Sequence, residues 1–209
     1  PKAFIEWEGE FWGMIETRPY MRARSALADL LWISGETEQA VAHNAEMLRL
    51  NPNDNQGVRY MQVECLIELG RDREASALLT RYKDDPSAAW AYARALLAFR
   101  KGGESHRSNR ALEDALDTNP FVPLYLLGLV TSPEEPPDVI GLGDEAEAID
   151  YVMAAYRNWG ETSDALEWLA KRWGTKLARE LREEYDGEFL TPGGRFLDDE
   201  DSAAEDDEG

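Results

Sequence analysis

Along most of the chain, apolar and small side chains return at the three-to-four-residue spacing of a helix face. The pattern is interrupted by Gly35, Gly70 and Gly103, which lie 35 and 33 residues apart, and by Pro52, Pro86 and Pro120, which lie 34 apart twice. When each glycine is numbered position 15 of a unit, position 11 is large and apolar in every unit: Leu31, Leu66, Phe99 and Tyr156. Position 8 reads Ala28, Val63, Leu96 and Met153. Position 7 is less regular, with Leu27, Gln62 and Ala95. Position 20 is small, as Ala40, Ala75, Ser108 and, after Gly160, Ala165. Small residues at that point allow two helices to touch, so the pattern predicts three antiparallel helix pairs and a fourth beginning near Asp144.

A period near 34, with a proline about 17 residues after each glycine, identifies the chain as an array of tetratricopeptide-type units. Local signals agree with the helix starts. Thr37 is placed to cap the second helix of the first unit, Asp54 the first helix of the second, and Asp85-Pro86 the start of the third. Asp144 with Glu147 has the layout of a capping box. Between the third and fourth units, residues 121–130 read as a short apolar helix. Residues 131–143 hold three prolines and two glycines and read as a loop or insertion. Beyond Trp173, Leu177, Leu181 and Tyr185 fall on one face of a helix suited to cover the end of the array. Residues 187–197 have too many glycines and prolines for a helix, and residues 198–209, with eight acidic side chains and no basic one, should be disordered. The expected fold is all-α: an extension at 1–18, a helical-hairpin solenoid at 19–186, and an irregular, acidic end at 187–209.

Charge then narrows the function. The net charge is −20, of which the acidic tail supplies −8 and the rest of the chain −12. Phosphate neutralisation needs clustered Lys and Arg, so nucleic-acid binding is an unlikely role for such a surface, whereas a basic protein would be steered towards it. One cysteine, Cys65, excludes a disulfide framework, and no stretch reaches the ~18 apolar residues of a membrane span. These features suit a cytoplasmic protein.

Chemistry has little to build on. His43 and His106 fall on second helices of their units, without a Cys or His neighbour at metal-ligand spacing. Gly141-Leu142-Gly143-Asp144 follows no strand and lacks the third glycine of a phosphate loop. We therefore expect no catalytic residue, no metal and no cofactor. In arrays of this type the first helices line a concave groove, at positions 2, 5, 9 and 12. Those positions carry Arg22, Asp29 and Trp32 in the first unit, Tyr60 and Glu64 in the second, and Trp90, Leu97 and Arg100 in the third. Aromatic anchors beside carboxylates suit a partner segment that brings an apolar side chain and a Lys or Arg.

The segments Phe11-Trp12, Glu16 to Met21 and Leu50 to Gly57 resemble a bacterial tetratricopeptide-type family. Asn119 to Leu127, Gly143 to Ala148 and Ala165 to Leu169 are similar to the suppressor-of-tumorigenicity-seven proteins. The resemblance implies a helical-repeat fold and an interaction role, and supplies no catalytic residue or ligand. Chaperone-binding members of the wider class clamp a terminal carboxylate with Lys and Asn; Asp29 and Glu64 stand at the corresponding position here. The reading that follows is an adaptor or scaffold, not an enzyme, that holds a basic or amphipathic protein segment in its groove. The alternative is an acidic inhibitor or nucleic-acid mimic that occupies a basic site on an enzyme.

Overall fold

A computed structural model describes residues 3–133 and 135–184. The predicted irregular segment, the acidic tail and Tyr185 lie outside these residues. About 70% of the described residues are helical and none is in a strand. Contacts divide the chain into a body, residues 1–172, and a second unit that starts at Trp173.

The body opens with α1 (Ala3–Glu6) and a single 3-10 turn (Ile15–Thr17). Three hairpins follow: α2 (Arg18–Ile33) with α3 (Thr37–Leu50), α4 (Val58–Glu68) with α5 (Asp72–Arg81), and α6 (Ala88–Gly102) with α7 (His106–Thr118). A short α8 (Val122–Leu126) and an irregular connection lead to α9 (Glu145–Glu161) and then α10 (Ala165–Glu184). Within the second unit, the described part is the helical remainder of α10, from Trp173 to Glu184.

The hairpin turns explain the glycine beat. Gly35, Gly70 and Gly103 have φ of +84°, +69° and +63°, a region L side chains avoid. In the first two turns the residue after the glycine closes the helix: Glu36 N–H donates to Leu31 O and Arg71 N–H to Leu66 O, each at 2.8 Å, while Gly35 and Gly70 bond three residues back. Ala40, Ala75, Ser108 and Ala165 are fully buried where paired helices meet, as their small size requires. The Ser108 hydroxyl is satisfied there by Gly103 O at 2.8 Å.

The fourth turn departs from the expectation. Gly160 lies inside α9, which runs on to Glu161, and the left-handed residue is Asp164 at φ +63°. The core register of α9 therefore slips by one residue. Val152, Ala155 and Trp159 are buried, whereas the predicted Met153 and Tyr156 are 44% and 55% exposed.

The helix starts also differ in detail. Thr37 opens α3 without capping it, and its hydroxyl donates to Glu68 Oε1 at 3.0 Å. Ser87, rather than Asp85, caps α6, and Asp85 in turn accepts from the Ser87 amide and hydroxyl. Pro86 accordingly lies before the helix instead of at its first position. Asp54 caps α4 from an unusual distance, accepting from the amides of Val58 and Arg59 at 2.9 and 3.0 Å. Asp144 caps α9 as expected, through Glu147 N–H at 2.8 Å. The reciprocal arm is absent, because the Glu147 carboxylate turns inward.

The N-terminal extension packs on the first hairpin. Phe11 is buried, its amide donates to Leu50 O at 3.1 Å, and Phe4, Phe11 and Tyr20 form an aromatic cluster.

Candidate interaction surface

The path of α9 decides what the concave face can offer. In a regular array it would stack beyond α7; here it packs on α8, α4 and α6, across the first helices expected to line a groove. Its N-terminal end is held by Glu147, a buried carboxylate. That carboxylate accepts from the Ala88 amide at the start of α6 (2.9 Å), the Asn119 side chain (3.0 Å) and the Gly143 amide (2.8 Å). An anion at a helix N-terminus is favoured by the unpaired amides and the helix dipole. Further along, Tyr151 and Trp159 pack on Tyr92 of α6, with ring centroids 5.6 and 6.3 Å away, and Trp159 Nε1 donates to Tyr151 Oη.

At the centre Asn158 Nδ2 donates to Glu64 twice, to the carboxylate at 2.7 Å and to the backbone carbonyl at 3.1 Å. Glu64 is 2% exposed. Burial pushes its carboxyl up to about 7, against a smaller pull downward from the Asn158 bond. Its second oxygen has no hydrogen-bond partner among the described residues.

The predicted groove residues therefore divide. Glu64, expected to line the groove, is buried under α9. Trp90 is fully buried instead of lining a groove: it stands edge-on to Tyr60, 5.4 Å between centroids, and near Tyr82, in the joint between the second and third hairpins. Tyr60 shares that joint, where Arg59 pairs with Asp54 at 2.9 Å and with Asp85 at 2.7 Å. Leu97 is buried too, towards α5, beside a cleft shared with Leu79 and Thr80. The reason is rotational: α6 starts at Ala88, and the face it turns to α9 carries Ala88 and Tyr92, not Trp90 and Leu97.

Arg22, Asp29, Trp32 and Arg100 remain accessible. Arg22 is exposed, 5.9 Å from the Trp12 ring centroid. Asp29 is half-buried, and burial raises its pKa. Trp32 is half-buried and donates to Glu68 Oε2 at 2.9 Å. Glu68 also takes Thr37 and lies 3.5 Å from Arg157 of α9, so one carboxylate joins α2, α3 and α9. Arg100 donates to Asp72 and to Ile67 O, each at 3.1 Å.

Glu68, Asp72, Arg100, Glu161 and Asp164 line an open cleft of about 720 Å³ where the ends of α4, α6 and α9 converge. Two guanidiniums offset part of the four carboxylate charges: Arg100 pairs with Asp72, and Arg157 pairs with Glu161 at 2.7 Å and lies 3.5 Å from Glu68. Only Arg100 of this set was selected by groove position. The others flank turns, and the signal that marks them is an acidic residue next to each turn: Glu68 and Asp72 around Gly70, and Glu161 and Asp164 around the fourth turn.

Cys65 is fully buried, and burial pushes its thiol up to about 12. His43 and His106 lie on α3 and α7, the second helices of their hairpins. Among the described residues no group of three His, Cys, Asp or Glu side chains is placed to hold a metal, and no helix is long and apolar enough to cross a membrane.

Such a stack of helix pairs, with a short turn in each and acidic residues at the turn ends, defines a helical-repeat protein. Residues 31–98 match the family model of the tetratricopeptide repeat, a unit that mediates protein–protein interaction. Among curated proteins the chain is similar to the suppressor of tumorigenicity 7 protein-like proteins of Rattus norvegicus and Mus musculus, each 33% identical over 129 residues. The Gallus gallus protein of the same name is 30% identical over the same length. Each match covers 53% of this chain and 23% of the relative, so the chain spans less than a quarter of the length of these proteins. No solved structure matches.

Proposed function

We propose that the protein is an interaction adaptor that receives a basic or amphipathic partner segment at the open end of its concave face. The supporting observation is the 720 Å³ cleft, in which the carboxylates of Glu68, Asp72, Glu161 and Asp164 outnumber the guanidiniums of Arg100 and Arg157 that pair with them. A Lys or Arg entering there would find several carboxylates in a partly desolvated setting, and Trp32, held by Glu68, supplies an aromatic surface next to it. The neighbouring outer face of α9, with Met153 and Tyr156, offers apolar contact to an amphipathic segment. The groove over Glu64 is not part of this site, because α9 fills it.

The test is an array of synthetic helical peptides that differ in charge and in the placement of apolar residues, probed with the full chain. Basic amphipathic peptides should be retained and their acidic counterparts should not. Asp72→Asn with Glu161→Gln should slow association and flatten its salt dependence, since charge mainly steers encounter. Trp32→Ala should instead speed dissociation. Equal retention of acidic peptides, or kinetics unchanged by all three substitutions, would remove the cleft from consideration.

A further inference from the structure

The first hairpin leaves a helix face uncovered that the second hairpin covers. At positions 3, 7 and 10 of the second unit, Val58, Gln62 and Cys65 are 7%, 5% and 0% exposed, because α4 packs on α3 of the preceding hairpin. The same positions on α2 are Ala23, Leu27 and Leu30, and here Leu27 is 44% and Leu30 64% exposed. Three residues beyond Leu30, Ile33 is 79% exposed. Pro19, Ala23 and Ala26 are exposed too. Residues 19, 23, 26, 30 and 33 alternate four and three apart, the seam spacing of paired helices. On a soluble surface single exposed apolar side chains are ordinary, but a continuous stripe along a whole helix marks a contact surface.

Charge selects the occupant. Arg22 and Asp29 lie seven residues apart along one flank of the stripe, basic towards the start of α2 and acidic towards its end. Arg22 contacts only the Trp12 ring, and Asp29 makes no ion pair or hydrogen bond among the described residues. A helix laid antiparallel on α2, with the same sequence, brings each Arg22 beside the other copy's Asp29 and each helix N-terminus beside a C-terminus. A parallel copy would place the two charged flanks on opposite sides of the seam, where Arg22 and Asp29 could not pair.

We infer that α2 is a self-association surface, and that two copies of this chain pair through antiparallel α2 helices about a twofold axis. Such an interface is isologous, so one stripe serves both copies and the assembly closes as a dimer. It lies on the side of α2 away from its own hairpin partner and is independent of the acidic cleft.

Sedimentation of the full chain, without any partner, tests this directly. The mass should rise from one chain to two between low and high micromolar concentration. Leu30→Glu with Ile33→Glu should abolish the dimer without changing the melting temperature, because both side chains are already in water. Arg22→Glu and Asp29→Arg should each weaken the dimer several-fold, and the two together should restore it. A wild-type chain that remains a monomer at high concentration would overturn the inference. So would a dimer that survives the Leu30/Ile33 substitutions, or one in which the double charge reversal brings no recovery.

Discussion

The second and fourth hairpins are built from similar elements and behave differently. In the second, a tight turn at Gly70 delivers α5 back onto α4, and α4 rests on the helix just before it in sequence. In the fourth, α9 follows an irregular connection after α8, packs on α8 itself, and also reaches α6 of the third hairpin and α4 of the second. Helix propensity does not separate them. The connection does, since it frees α9 from stacking in sequence order, and buried polar contacts then fix where it lands. The Glu147 carboxylate at the α6 N-terminus and the Asn158–Glu64 pair tie α9 to earlier hairpins, whereas the Asp54–Arg59–Asp85 cluster ties the second hairpin to the one that follows it.

The strongest way to break this comparison is to remove the anchor of the fourth hairpin. Trp159 is fully buried against Tyr92 and Trp168, so Trp159→Ala should cost about 3–5 kcal/mol. Urea unfolding followed by circular dichroism should then show two steps, α9 and α10 releasing before the three regular hairpins. One unchanged transition would mean that the fourth hairpin is not a separable addition.

Acidity gives the next effect. The folded-state pKa of Glu64, about 7, is raised above its ordinary 4.5, so the protonated form is the one the fold prefers. Stability from this group is fully present below the lower value and is lost as pH rises through the upper one, by up to about 3 kcal/mol. Glu64→Gln keeps the shape without the proton and should level that fall. An identical pH profile in wild type and variant would exclude Glu64 as its source.

Smaller still, but opposite in sign, are two glycine substitutions. Gly70→Ala forces an L side chain into the left-handed region and should cost about 1–2 kcal/mol. Gly160→Ala, in a helix with open space around it, should gain about 0.5–1 kcal/mol. Equal effects would return Gly160 to the role of a turn residue.

These contrasts also show what could be read from the chain alone. The three glycine turns, the small residues Ala40, Ala75 and Ser108, and the cap at Asp144 depend on local sequence, and local sequence was enough to place them. The rotation of α6 that buries Trp90 and Leu97, and the slip that exposes Tyr156, depend on the joint with neighbouring hairpins. Periodicity carries no information about that joint. The repeat position of Glu64 gives no hint of its burial, because its cover comes from Asn158, 94 residues away in sequence. The acidic cleft was overlooked because its members belong to turns of three different hairpins. No position within a repeat singles them out.

That 94-residue span has a kinetic consequence. An open repeat array folds through contacts between neighbours, each closing a short loop, and its stability is close to a sum of nearest-neighbour steps. The bond from Asn158 to Glu64 adds a contact of high sequence separation, and loop closure of that length has to be met before α9 is rewarded. The three regular hairpins should therefore form first and present a bare concave face, with the fourth docking as a slower phase. During that interval the chain carries its own groove ligand on a tether, at an effective concentration that a free competing peptide must exceed.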